Sequence, residues 1–188
     1  MTLRLFIAFP IEPVVQDQLG RLIATLKERD QGVKWVTAHN IHLTIRFLGD
    51  TDEKMIPDLK EVIDRTVTGF ERFEGIIDQL GAFPNLSRPR VIWVGMSGPL
   101  AGLSDLAGRM EKAVRKLGYQ HERKKFSPHF TLGRVRRGPV SEELRTILRE
   151  HRLTPIPIKL DRVSLIKSTL TPTGPIYDPL YEKNLGRL

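Results

Sequence analysis

The chain contains no cysteine, so neither a disulfide nor a thiolate metal site takes part in its fold or chemistry. No apolar run approaches the roughly eighteen residues that a membrane-spanning helix needs. The opening residues Met1 to Pro10 have no basic region ahead of their short apolar stretch, which does not fit a secretory signal, and we expect a cytoplasmic protein. No glycine-rich phosphate loop follows the first strand-like segment, which argues against ATP-driven chemistry and a dinucleotide-binding fold. Acidic side chains are the minority, 22 Asp and Glu against 30 Lys and Arg, for a formal net charge of +8. A positive surplus of that size favours an anionic partner by raising the local concentration of phosphates.

At 188 residues, 40% apolar and 28% charged, the chain has the size and composition of one globular domain, or of two small joined lobes. Leu3 to Phe9 reads as a strand. Val14, Val15, Leu19, Leu22, Ile23 and Leu26 then recur at helical spacing. A strand over Ile41 to Leu48 is followed by a helix carrying Met55, Ile56, Leu59, Val62, Ile63 and Val67. Phe73 to Phe83 reads as a strand, and the turn cluster Pro84 to Pro89 joins it to another over Val91 to Val94. A helix marked by Leu100, Leu103, Leu106, Met110, Val114 and Leu117 ends at Gly118. Ser141 can cap a helix bearing Leu144, Ile147 and Leu148. A strand from Ile156 to Lys167, a turn-rich stretch from Thr169 to Pro175 and a short strand around Ile176 to Leu180 complete the chain.

Two stretches share one spelling: His42-Leu43-Thr44-Ile45 and His129-Phe130-Thr131-Leu132. In a strand the His and Thr of each copy point to one face and the two apolar residues to the other. The offset of 87 that relates the histidines also carries Phe6 onto Trp93 and Pro84-Asn85 onto Thr171-Pro172. One element order is thus used twice, with halves of roughly 1–89 and 90–188 inside a single domain of 1–188. The period is too long for a solenoid, so we expect two similar lobes related by a pseudo-two-fold axis. Helices between strands also suit a parallel doubly wound sheet, but the Pro and Gly turns favour local antiparallel pairing.

Two imidazoles and two hydroxyls around one small anion supply an acid, a base and hydrogen-bond donors. A single His on a strand is more often an ordinary hydrogen-bonded residue, and what raises these two above that is the wider duplication. Arg46 lies on the His42 face by alternation and is a candidate phosphate ligand. Arg123-Lys124-Lys125 and Arg136-Arg137 flank the second motif and could track a nucleic-acid backbone. His39 and His42 have no third ligand nearby, so no metal site is expected.

The segments LRLFIAF, HLTIRFLGD, FPNLSRPRVIWVG, FSPHFTLGR and STLTPTGPIY resemble the two-histidine (2H) phosphoesterase superfamily, and within it the RNA 2′,3′-cyclic phosphodiesterases, also called 2′-5′ RNA ligases. The resemblance spans nearly the whole chain. It implies an α+β fold of two lobes, with two antiparallel sheets facing a central groove and helices outside. It implies metal-independent opening of RNA 2′,3′-cyclic phosphate ends to 2′-phosphomonoesters without a cofactor, and reversible 2′-5′ ligation. RNA is then the partner, with tRNA fragments as one candidate. It assigns His42 as proton donor, His129 as proton acceptor, and Thr44 and Thr131 to the phosphoryl oxygens. Five residues beyond each His it places a phosphate-contacting arginine at Arg134 and an aromatic at Phe47. Strict alternation puts both on the wrong face, so these roles require a bulge or the strand end. A monomer is expected, because the duplicated halves already supply a two-fold site. Other substrates remain open, such as ADP-ribose cyclic phosphate or a 2′-5′ oligonucleotide, as does a non-catalytic RNA-binding module.

Overall fold

A computed structural model describes residues 1–136 and 138–186. In chain order its main elements are β1 (Thr2–Pro10), α1 (Pro13–Arg29), β2 (Val33–Trp35), β3 (His42–Asp52), α2 (Ile56–Val67), β4 (Phe73–Phe83), β5 (Val91–Ser97), α3 (Leu100–Lys116), β6 (His129–Val135), α4 (Glu142–Glu150), β7 (Ile156–Leu160), β8 (Arg162–Leu170) and β9 (Pro175–Asn184). The fold is α+β. The helices form where apolar residues recur at the helical period, as with Val15, Leu19, Ile23 and Leu26 on α1, and these residues are buried. Ser141 caps α4, its Oγ accepting from the Leu144 amide at 3.1 Å. Gly118, at φ +94°, follows α3 in the left-handed conformation that a side chain would disfavour.

All nine strands pair antiparallel in the order β7-β4-β5-β6-β3-β1-β8-β9, with β2 added beside β6. The sheet consists of two four-stranded halves joined at one ladder pair, Leu43 opposite Phe130. The halves of the sheet are not the halves of the sequence, since β8 and β9 complete the half begun by β1 and β3, while β4 joins β5, β6 and β7 in the other. Helices α2 and α3 pack together behind that half, while α1 and α4 lie behind β4 and β7. Burial is concentrated between sheet and helices, where Leu5, Ile7, Phe9, Ile92 and Val94 meet the helix residues in one continuous core. A second, small cluster of Phe6, Ala8 and Ile166 lies apart from it, packed against Tyr177 on the helix-free face.

The run expected as one strand from Ile156 to Lys167 is two. Ile158 and Leu160 are buried, then Val163 and Leu165, so the inward phase slips at Asp161-Arg162. There the chain leaves β4 at one margin of the sheet and crosses to β1 in the other half. The last strand is also longer than expected, because β9 pairs with β8 from Pro175 through Asn184.

Candidate active site

Leu43 and Phe130 are both 0% exposed on the helix-covered face, which turns His42, Thr44, His129 and Thr131 onto the open face. Full burial of two such side chains contributes about 1.5–3 kcal/mol each, and so holds the motifs together from behind. Because the strands run antiparallel about the 43/130 pair, His42 lies across from Thr131, and Thr44 across from His129. Each imidazole is therefore beside the other copy's threonine, and the four side chains form one quadrilateral.

Both rings are held the same way. His42 Nδ1 lies 2.8 Å from the Asn40 carbonyl and His129 Nδ1 lies 2.7 Å from that of Ser127. A carbonyl only accepts, so each Nδ1 carries hydrogen and each Nε2 is left for chemistry. Aromatic rings wall both. Phe6 and Tyr177 stand 4.8 and 5.3 Å from His42, centroid to centroid, while Phe83 and Trp93 stand 5.0 and 6.4 Å from His129.

Burial lowers the pKa of His42 from 6.5 to about 4, against the opposing Asn40 hydrogen bond and with help from the charges of His129 and Arg134. His129 is lowered too, by burial first and then by Arg134, with the Ser127 hydrogen bond opposing. The Arg134 charge thus lowers both rings, and the His129 charge adds to the lowering of His42. Both histidines are neutral at pH 7 in the ligand-free protein, each with an Nε2 lone pair ready to accept a proton. Donation from His42 requires a bound anion to raise its pKa again.

The bulges that sequence alternation could only require are present, at matching positions. On β3, Thr44 pairs with Ala8 and Arg46 with Ile7, leaving Ile45 as the extra residue. On β6, Thr131 pairs with Trp93 and Gly133 with Ile92, leaving Leu132 extra. Each extra residue reverses the phase of the strand beyond it. Phe47 thereby returns to the His face, 52% exposed and 5.9 Å from the Phe6 ring. Arg134 does the same, opposite Val91.

The same bulge corrects the placement of Arg46, which alternation had put on the His face. Arg46 is buried, with Nε 2.6 Å from Glu111 Oε2 and Nη1 3.9 Å from Glu122 Oε2. Its guanidinium also donates to the Phe47 and Gln120 carbonyls. Its donors are committed inside the protein, away from the open face.

The two copies hold their bulges differently. In the first, Arg46 binds the backbone. In the second, β2 pairs along Gly133, Arg134 and Val135, and a Cβ on Gly133 would come within 2.6 Å of Val33 Cγ1 and 2.8 Å of Trp35 Cε3. Only glycine lets β2 approach so closely.

Tyr177 and Phe83 were not singled out as site residues by sequence reasoning. They sit at strand ends beside the two turn clusters, the one signal that marked them. Arg123, Lys124 and Lys125 are exposed on the segment leading to His129, and Arg136 is exposed just beyond β6, while Arg137 lies outside the described residues. His121 pairs with Glu111 at 2.8 Å, and among the described residues no three His, Cys, Asp or Glu side chains gather as a metal site. A groove of about 620 Å³ lies to one side, between 46–52 and 117–122. Asp50, Asp52 and Glu122 on its walls make it a poor seat for an anion.

Fold and site together define a two-histidine phosphoesterase: paired His-x-Thr strands meeting at the centre of a duplicated antiparallel sheet. The chain matches the family model described as LigT like Phosphoesterase twice, over residues 9–93 and 94–177, and it belongs to that family. It is 36% identical over 180 residues to the RNA 2′,3′-cyclic phosphodiesterase of Thermotoga maritima, covering 96% of this chain and 94% of that one. It is 35% identical over 178 residues to the protein of the same name from Methanothermobacter thermautotrophicus, covering 94% and 96%. Among solved structures, Escherichia coli LigT complexed with 3′-AMP superposes with TM-score 0.79 at 25% identity, covering 98% of this chain and 99% of that one. TT0787 of Thermus thermophilus superposes equally well, TM-score 0.79 at 27% identity, covering 98% of each. Among the described residues no helix is long and apolar enough to cross a membrane.

Proposed function

We propose that this protein hydrolyses RNA 2′,3′-cyclic phosphate ends to 2′-phosphomonoesters without a metal. The observation that carries the reading is the shared quadrilateral of His42, Thr44, His129 and Thr131, with both Nε2 atoms available beside Arg134. Relatives named RNA 2′,3′-cyclic phosphodiesterase support the choice of substrate.

In this reading the cyclic phosphate sits between the imidazoles, its non-bridging oxygens accepting from the Thr44 and Thr131 hydroxyls and from Arg134. His129 Nε2 takes a proton from water as the water oxygen attacks phosphorus. The bond from phosphorus to the 3′ oxygen breaks, and His42 Nε2 delivers its proton to that oxygen. The bound phosphate raises the depressed pKa of His42 and so makes it an acid only when substrate is present. Phe47 forms part of the wall. With a 5′-hydroxyl RNA end in place of water as nucleophile, His129 takes the hydroxyl proton, the bond from phosphorus to the 3′ oxygen breaks with His42 as donor, and a 2′-5′ linkage results; the reverse of that step cleaves it. The basic residues around the groove hold the RNA body, and the protein acts as a monomer in the cytoplasm.

The test is turnover of 2′,3′-cyclic AMP and of a cyclic-phosphate-ended oligonucleotide by EDTA-treated protein, with the product identified as the 2′-phosphate. Removing either imidazole costs about 10²–10⁴-fold in kcat/KM. RNA binding that is salt-sensitive but indifferent to loss of His42 and His129, with no turnover, would leave only a binding module.

A further inference from the structure

Beside His42, on the same open face, lies a cavity of about 140 Å³ that the phosphate chemistry does not use. It opens over β1, β8 and β9 and is closed on the other side by Gln16 of α1 and by His39, Asn40 and Ile41, with the Gln16 and Asn40 amides already donating to the His39 and Pro175 carbonyls. Ile166, Pro179 and the Tyr177 ring make it apolar on one side, and Ser164 and Glu182 make it polar on the other.

The polar side is built rather than incidental. Ser164 is 1% exposed, and its Oγ donates to Glu182 Oε1 at 2.9 Å across a directly paired register position. Arg162 Nε approaches the same oxygen at 3.4 Å. Two donors therefore fix the carboxylate through Oε1, while Oε2 has no partner among the described residues. What remains is a charged acceptor set against an aromatic wall, in a cavity that His42 also lines.

We infer that this cavity takes the nucleobase of the substrate's terminal nucleoside and favours bases that present an amino group, namely guanine, adenine and cytosine, over uracil. The inference rests on the phosphodiesterase reading above. Tyr177 and Ile166 supply contact for the base, as pockets for an unstacked base do. A carboxylate accepts from the exocyclic amines of these three bases, whereas uracil has no exocyclic amine and offers only its N3–H, flanked by two carbonyl oxygens that a carboxylate repels. The Glu182 side chain is 44% exposed, so the discrimination it supplies is that of one charge-assisted hydrogen bond gained or lost, not that of a fully desolvated charge.

The experiment measures kcat/KM for the four nucleoside 2′,3′-cyclic phosphates, with the intact wild-type protein, Glu182→Gln and Ser164→Ala, each checked by thermal melt. Mononucleotides carry no base but their own, so a ranking among them reports this pocket alone. The expected wild-type result is discrimination against the uridine substrate by about tenfold or more. In Glu182→Gln, whose amide can also donate to a uracil carbonyl, the spread shrinks to about threefold or less. Ser164→Ala, which loosens the carboxylate, narrows it partway and serves alone if Glu182→Gln does not fold. Equal wild-type use of all four substrates, or an unchanged ranking in a folded Glu182→Gln protein, overturns the inference. If none of the four is hydrolysed, calorimetric binding of the four nucleoside 2′-phosphates decides the pocket by the same ranking, and the phosphodiesterase reading fails only if the cyclic-phosphate-ended oligonucleotide is also left intact.

Discussion

Replacing Arg46 with methionine removes a charge whose side chain is 9% exposed and that is bound by a carboxylate 2.6 Å away and by two backbone carbonyls. Breaking a buried ion pair by deleting one partner costs about 3–5 kcal/mol, mostly for the charge left behind. Glu111 is 18% exposed and its other oxygen still accepts from His121 and the Glu122 amide. The cost therefore falls near the lower figure, about 3 kcal/mol. For a domain of this size that lowers Tm by about 6–12 °C. Removing both charges, Arg46→Met with Glu111→Leu, recovers much of the loss, since apolar replacement of a buried pair is often close to neutral. Urea and thermal melts of the wild type, both single variants and the double variant measure the cycle. An Arg46→Met protein within about 1 kcal/mol of wild type, or strictly additive losses, would refute the view that this pair holds the β3 bulge. The same variant should raise KM more than it lowers kcat, because Phe47 loses the donor on its carbonyl.

With the His42 pKa at about 4 when folded against 6.5 in the unfolded chain, the unfolded state binds a proton here first. The associated stability is full above pH 6.5 and is lost as pH falls toward 4, by about 3 kcal/mol in all. Urea titrations at pH 7 and pH 4 should show that loss in the wild type and not in His42→Gln; parallel pH dependence in the two would contradict it. Gly133→Ala forces Val33 and Trp35 aside, costs about 1–3 kcal/mol, and displaces Arg134, so both Tm and affinity for a nucleoside 2′-phosphate should fall. Arg134→Ala should raise the pKa of both His42 and His129, because its charge lowers each. Proton NMR titration of the two rings reads that shift directly, and an unmoved pair would place the guanidinium elsewhere.

The four helices were legible because their buried residues keep one period, and the twin motif because it is written twice. The bulges were not legible. Ile45 and Leu132 are apolar residues in apolar surroundings, and nothing local distinguishes an extra residue from an ordinary inward one. That single ambiguity put Arg46 on the wrong face and left Phe47 and Arg134 conditional. The break between β7 and β8 did leave a trace, the adjacent polar residues Asp161 and Arg162, but the trace says only that the phase slips, not that the chain changes halves. Tyr177 and Phe83 come to the histidines through strand pairing over long separations, which no window of sequence reports.

The exchange of strands between the two halves of the sheet has a consequence for how the chain reaches its native state. A polypeptide severed near residue 89 would not yield two self-sufficient pieces, since the first would lack β8 and β9 and would carry β4 without its neighbours β5 and β7. During synthesis β1 and β3 must wait, with Phe6 and Ala8 uncovered, until more than a hundred further residues have been made. The carboxy-terminal hairpin, made last, is what pairs with the earliest-made strand and walls in His42.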